Sequence, residues 1–378
     1  DNYTIFTDPD AALSEARAGS RATLLLDKTV IITGGGPTEG SATNYAAIFY
    51  PGLSQTTKGT IAEQATSMLE ARAMHSATRL LDGRVLVAGG AGGAAGALST
   101  AEVYDPVLKT FTATGASMAA ARKNHVAVLL RDGNVFLAGG VDASGTLLSS
   151  AEIYDVATDS FLPAGNMENG ARTGARVSGM PDGRVLIAGG RLAAGPTPTI
   201  EIFDPVAGTF TAVDIPNNMT AARDGMSLTS TTFDPYVATA AGGMASPPTN
   251  SIESFDWDSD SWMLSAVTMR EGRANHMSVL LGDGKILLAG GQTTDTGSLT
   301  ATADLYDVAT DTIDLPNGPM HLPLRDAAIT ILENGRPALF GGVMTAGPTG
   351  KAMIFTPDGG FNYPPIAQVR TPTAIEPW

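Results

Sequence analysis

Cysteine is absent from all 378 residues, which removes disulfide frameworks, thiolate metal sites and cysteine nucleophiles together. Charged residues are scarce at 16%, and basic ones scarcer still. Seventeen Arg and six Lys stand against 38 acidic residues, for a net charge of −15. Such a body repels nucleic acid and anionic membranes, so neither is expected as a partner. No apolar run approaches the 18 residues of a membrane-spanning helix, so no membrane insertion is expected. Also missing are a G-x-S-x-G elbow, an HExxH pair and an EF-hand loop. No cofactor is therefore expected. The chain begins at Asp1 with neither Met nor a signal-like stretch, as a processed product would. Together these point to an exported protein, placed outside the cell, on its surface or in a periplasm.

What is abundant is glycine, with 44 residues, and it recurs. Doublets fall at Gly34-Gly35, Gly89-Gly90, Gly139-Gly140, Gly189-Gly190, Gly242-Gly243, Gly290-Gly291 and Gly341-Gly342, spaced by 55, 50, 50, 53, 48 and 51 residues. A period near 50 is that of a propeller blade. One unit shows the strand plan: MHSATRLL (74–81), an Asp82-Gly83 turn, RVLVA (84–88) into the doublet, a variable loop, TAEVYD (100–105) and TFTAT (110–114). Asp-Gly between apolar runs predicts a type I′ hairpin turn, with positive φ at both central residues. It recurs at Asp132-Gly133, Asp182-Gly183 and Asp283-Gly284, with Asn334-Gly335 equivalent; Asp27-Lys28 and Asp234-Pro235 depart from it.

The expected fold is all-β, a seven-bladed β-propeller with four antiparallel strands per blade over residues 1–363. A Pro-rich, extended tail follows over 364–378. Seven inner-strand triplets meet eight outer-strand candidates, because both 3–7 (YTIFT) and 360–363 (GFNY) flank the repeats. Residues 3–7 are expected to close the last blade, since a strand from the opposite terminus locks the circle. A spare terminal strand would be free for self-assembly.

The doublets, the third-strand aromatics (Tyr104, Tyr154, Phe203, Phe255, Tyr306) and the outer-strand aromatics (Phe111, Phe161, Phe210, Trp262) resemble the kelch repeat over nearly the whole chain. The wording DGRVLVAGG resembles that of exported bacterial kelch proteins. Phe replaces Trp in most outer strands, and the first and last repeats are the most degenerate. A phosphate-cradling role for the doublets would need a helix after the loop, and none follows.

Seven arginines precede the inner strands: Arg17, Arg72, Arg122, Arg172, Arg223, Arg273 and Arg325, lying 17, 17, 17, 17, 19, 17 and 16 residues before their doublets. That register places them around one mouth of the central channel, on the face of the variable loops. One reading is a ligand-binding ring, because the Arg fork grips carboxylates bidentately. The resemblance implies the same, since kelch propellers that take acidic peptides or acidic sugars use arginines there. The other reading is a repeated clamp in which each third-strand acid, Glu102, Glu152, Glu201, Glu253 and Asp304, pairs with an arginine of an adjacent blade, a pattern that Ala47 and Met353 interrupt in blades 1 and 7.

His75, His125 and His276 follow their arginines by three residues and are candidate partners at the mouth. A metal site would need three or four ligands together, so repeat-specific hydrogen bonding is the expected role and no metal is assigned. The copper-radical oxidases that also carry kelch propellers use a Cys–Tyr crosslink, which a chain without Cys cannot make. Three functions follow. The first is an exported, non-catalytic propeller binding a protein or an acidic small molecule or glycan at the Arg-lined mouth. The second is a structural subunit of an extracellular filament, surface layer or larger secreted assembly. The third, by resemblance, is a periplasmic sialic-acid-type mutarotase with His75 or His125 in acid–base work.

Overall fold

In the computed structural model the described residues are 4–7, 12–52, 59–63, 67–93, 96–213, 217–231, 236–316 and 318–356. They form seven four-stranded antiparallel sheets arranged as the blades of a closed propeller. Six blades follow chain order. Blade 2, for example, runs Ser76–Arg79, Val85–Ala88, Ala101–Asp105 and Thr110–Ala113 from the centre outward. Blade 7 takes Ala328–Ile331, Pro337–Phe340 and Ala352–Thr356 from one end of the repeats, and its outermost strand, Thr4–Thr7, from the other. Residues 360–378 lie outside the described residues.

The second strands are buried on both faces and almost wholly apolar: Val30–Thr33, Val85–Ala88, Val135–Ala138 and Val185–Ala188 are buried throughout. A strand between two neighbouring blades has no solvent side, so it loses the usual alternation. The core is accordingly shared between blades. Across the first-to-last seam, Phe49 packs edge-on against Phe340 at 5.1 Å, with Val30, Ile32 and Ile354 around them. Within blades, the third-strand and outer-strand aromatics are directly opposed pairs. Tyr104–Phe111 are 4.8 Å apart, Phe203–Phe210 4.8 Å and Phe255–Trp262 5.4 Å between ring centroids.

The Asp-Gly turns differ from the expected type I′ form. Leu80 N–H donates to Arg84 O and Gly83 N–H to Leu80 O, so the loop holds three residues rather than two. Only Gly83 of that loop has positive φ, as in a type I turn closed by a left-handed residue. Asp82 serves differently, accepting the Arg84 N–H at 3.0 Å. This explains how blade 1 manages without glycine: Lys28 alone takes φ +76° in the same turn. The Asp234-Pro235 turn lies outside the described residues.

The Gly doublets are contacts between blades. In all seven, the second glycine's N–H donates to a carbonyl just before the next inner strand, at 2.8–3.0 Å. The first glycine presses on that same carbonyl: a Cβ at Gly89 (φ +61°) would stand 2.5 Å from Arg122 O. Both the backbone angle and the close approach demand glycine.

Candidate binding site at the channel mouth

Each inner strand is preceded by a buried residue whose carbonyl takes the doublet hydrogen bond. That residue is Arg72, Arg122, Arg172, Arg223, Arg273 and Arg17 for six blades, and Leu324 for the seventh. The six arginines are 0–2% exposed. They do not face the channel as a ligand-binding ring. Five are closed in ion pairs inside their own blades: Arg72–Glu102 at 2.8 Å, Arg122–Glu152 at 2.7 Å, Arg172–Glu201 at 2.8 Å, Arg273–Asp304 at 2.9 Å, and Arg223–Glu253. The partner comes from the same blade, not an adjacent one. The guanidinium also donates to the first doublet carbonyl, as Arg72 Nη1 does to Gly89 O at 2.7 Å. The carboxylate's remaining oxygen takes a backbone N–H of the incoming connection, as Glu102 takes that of Leu69 at 2.7 Å. Burial lowers the Arg172 pKa and raises that of Glu201, and the mutual attraction opposes both shifts. A buried charge is tolerable only when its lone pairs and protons are met in this way. In blade 1, where Ala47 replaces the acid, Arg17 lies 3.4 Å over the Tyr45 ring and donates to Thr43 Oγ1 at 2.6 Å.

Arg325 does not belong to this register, and its 16-residue spacing is the sign of it. Leu324, fully buried, holds the clamp position, and Arg325 sits one residue on, where Lys123, Thr173 and Asp224 sit in other blades. It is part-exposed and binds Glu39 through Nη2 at 2.9 Å and Asp326 through Nη1.

The three histidines lie between blades. His125 Nε2 pairs with Ser76 Oγ at 3.0 Å, His276 Nε2 with Ser227 Oγ at 2.9 Å and His75 Nε2 with Thr33 Oγ1 at 2.9 Å. Burial, then the adjacent arginine charges, pushes the His125 pKa down to about 3 and those of His75 and His276 well below the ordinary value. They are neutral hydrogen-bonding residues at physiological pH. Only His125 lines the mouth.

A cavity of about 770 Å³ opens at the channel mouth. Around it stand seven residues in the left-handed region, one per blade: Gly19, Met74, Asn124, Gly174, Gly225, Asn275 and Asp326, with φ of +52° to +73°. Two residues further along the inner strands come Arg21 in blade 1 and Arg176 in blade 4, both lining the cavity. Arg21 Nη1 donates to Ser20 O at 3.1 Å, and Arg176 Nη1 to Gly174 O and Ala175 O at 3.3 Å. Neither guanidinium hydrogen-bonds a carboxylate among the described residues. Burial first, then the charge of Arg176, lowers the Arg21 pKa against the pull of Asp326; burial lowers that of Arg176 against the pull of Asp326 and Asp224. Sequence reasoning missed both, because the same position holds Ser76, Val126, Ser227, Met277 and Ala328 elsewhere. Four-residue spacing from Arg17 and from Arg172 was the available signal.

Residues 122–168 match the Kelch motif family. No curated protein matches the chain in sequence. Among solved structures it is similar to a fungal alcohol oxidase of the AA5 family in complex with copper, at TM-score 0.71 and 16% identity over 94% of this chain and 76% of that one. It is also similar to YjhT, at TM-score 0.59 and 15% identity over 81% of this chain and 99% of that one. The fold is a seven-bladed kelch-type β-propeller. At such identities the likeness to both structures is one of fold. For the kelch propeller described here, no group of three His, Asp or Glu comes together as a metal site among the described residues, and Cys is absent.

Proposed function

We propose that this kelch propeller is a non-catalytic binding module, acting outside the cytoplasm, that takes an acidic ligand at its channel mouth. The observation that carries the reading is the pair Arg21 and Arg176. They are two half-buried cations set in one cavity, neither hydrogen-bonded to a carboxylate among the described residues, and attracted only through space by Asp326 and Asp224, which Arg325 and Arg191 already engage. A bound anion offsets both the repulsion between them and their lost hydration, and Arg presents the fork that a carboxylate matches. A concave, low-dielectric mouth strengthens that field even in a chain of net charge −15. On this reading the site lies on the face expected from the repeats, where Arg325 is the one of the seven expected arginines that lines the cavity, and it rests on Arg21 and Arg176.

Isothermal titration of the wild-type chain with a triglutamate peptide and with its triglutamine counterpart tests this. Binding of the acidic peptide alone, weakening as salt rises, supports the reading; equal binding of both, or no binding of either, overturns it.

A further inference from the structure

Two rings of backbone hydrogen bonds run around the channel, and they differ in completeness. The ring through the Gly doublets is closed at all seven junctions. The inner ring joins the left-handed residues, each N–H donating to the carbonyl of its predecessor one blade back. Met74 reaches Gly19 at 2.8 Å, Asn124 reaches Met74 at 3.1 Å and Gly174 reaches Asn124 at 3.3 Å. Asn275 reaches Gly225 at 2.6 Å and Asp326 reaches Asn275 at 3.0 Å. Two links are missing, between blades 4 and 5 and between blades 7 and 1. The N–H groups of Gly225 and Gly19, both lining the cavity, therefore donate to no carbonyl among the described residues. Because the doublet ring is intact at the same junctions, the blades have not drifted apart; the breaks belong to the inner layer.

Each break coincides with one of the two mouth arginines. Arg21 stands two residues after Gly19, and Arg176 two residues after Gly174, whose carbonyl it takes in place of the missing link. Each break also has an acid beside it that is already paired: Asp326 with Arg325, and Asp224 with Arg191. The remaining donors are a guanidinium and a backbone N–H at each break. Blades 7/1 and 4/5 lie on opposite sides of a seven-bladed ring.

We infer that the mouth holds two carboxylate subsites, Arg21 with Gly19 N–H and Arg176 with Gly225 N–H, and that its ligand carries two carboxylates bridging them. This rests on the acidic-ligand reading above and narrows it. A ligand that fills both subsites gains the second contact without a second loss of translational freedom.

Titration with the dicarboxylate series from succinate to suberate, each against its own monoamide, tests the inference. At the fitting length the diacid is expected to bind at least tenfold tighter than its monoamide, and Arg21→Met or Arg176→Met alone to remove that advantage. Diacids and monoamides binding equally at every length would overturn the two-subsite inference and leave the acidic-ligand reading standing. No binding of either would overturn both. The wild-type comparison needs no variant to fold.

Discussion

Arg172 and Glu201 meet at 2.8 Å inside blade 4 with neither side chain exposed. Four residues on, Arg176 reaches only backbone carbonyls in the open mouth. The first pair is structural and cuts off from solvent two charges that nothing else nearby would neutralise. Arg172→Met alone leaves Glu201 buried and uncompensated, and is expected to cost about 3–5 kcal/mol. The double variant Arg172→Met/Glu201→Leu removes both charges and is expected to cost well under half of that. A urea-unfolding cycle of wild type, both single variants and the double variant reads the difference; additive costs would contradict the clamp.

Acid should loosen the histidines between blades. His125 has its pKa pushed down to about 3, below the unfolded value near 6.5. A depressed histidine contributes stability that is present above pH 6.5 and is lost as pH falls through 6.5 toward 3, at about 1.4 kcal/mol per unit. Between pH 7 and pH 5 the wild type should therefore lose about 2 kcal/mol more than His125→Gln. Unfolding free energies of both proteins across that range check it, and parallel curves would contradict a neutral buried His125.

Glycine is required at the doublets but not at every position that carries it. Gly189 has φ +60° and a Cβ there would stand 2.7 Å from Arg223 O, whereas a Cβ at Gly179 meets nothing within 4 Å. Gly189→Ala is expected to destabilise by about 1–3 kcal/mol, and Gly179→Ala to change stability by less than about 0.5 kcal/mol or to raise it. Paired thermal melts distinguish the two.

Much of this architecture was legible in the residues. The doublet period gave seven blades, the five acids lie 29 to 31 residues after their arginines, and every one of those pairs is closed. Repetition reveals such features because each blade solves the same packing problem. It hides whatever a single blade does alone. Arg325 was counted with the other six arginines because the repeat was read by residue type; the 16-residue spacing shows that Leu324 holds the equivalent position. Arg21 and Arg176 have no counterparts in the other blades, and their role depends on curvature that brings blades 1 and 4 to one cavity. The turn conformation was misjudged for a local reason: Asp-Gly fits both a two-residue and a three-residue loop, and the hydrogen bonds of Leu80 select the longer one.

The Thr4–Thr7 strand pairs with Ala352–Thr356 and joins the two ends of the chain in one sheet. Deleting residues 1–7 should leave the Ala352–Thr356 edge unpaired, lower the melting temperature and promote association between copies. Differential scanning calorimetry with sedimentation velocity reads both effects; an unchanged melt and a monomer would show the strand to be dispensable.

The division of labour between clamped and open arginines is tested most directly by titrating triglutamate into the Arg21→Met/Arg176→Met double variant. The melting temperature should hold or rise, because two depressed cations have been removed, and binding should fall by at least a hundredfold. Binding retained within twofold of wild type would contradict the assignment of the acidic-ligand site to these two residues.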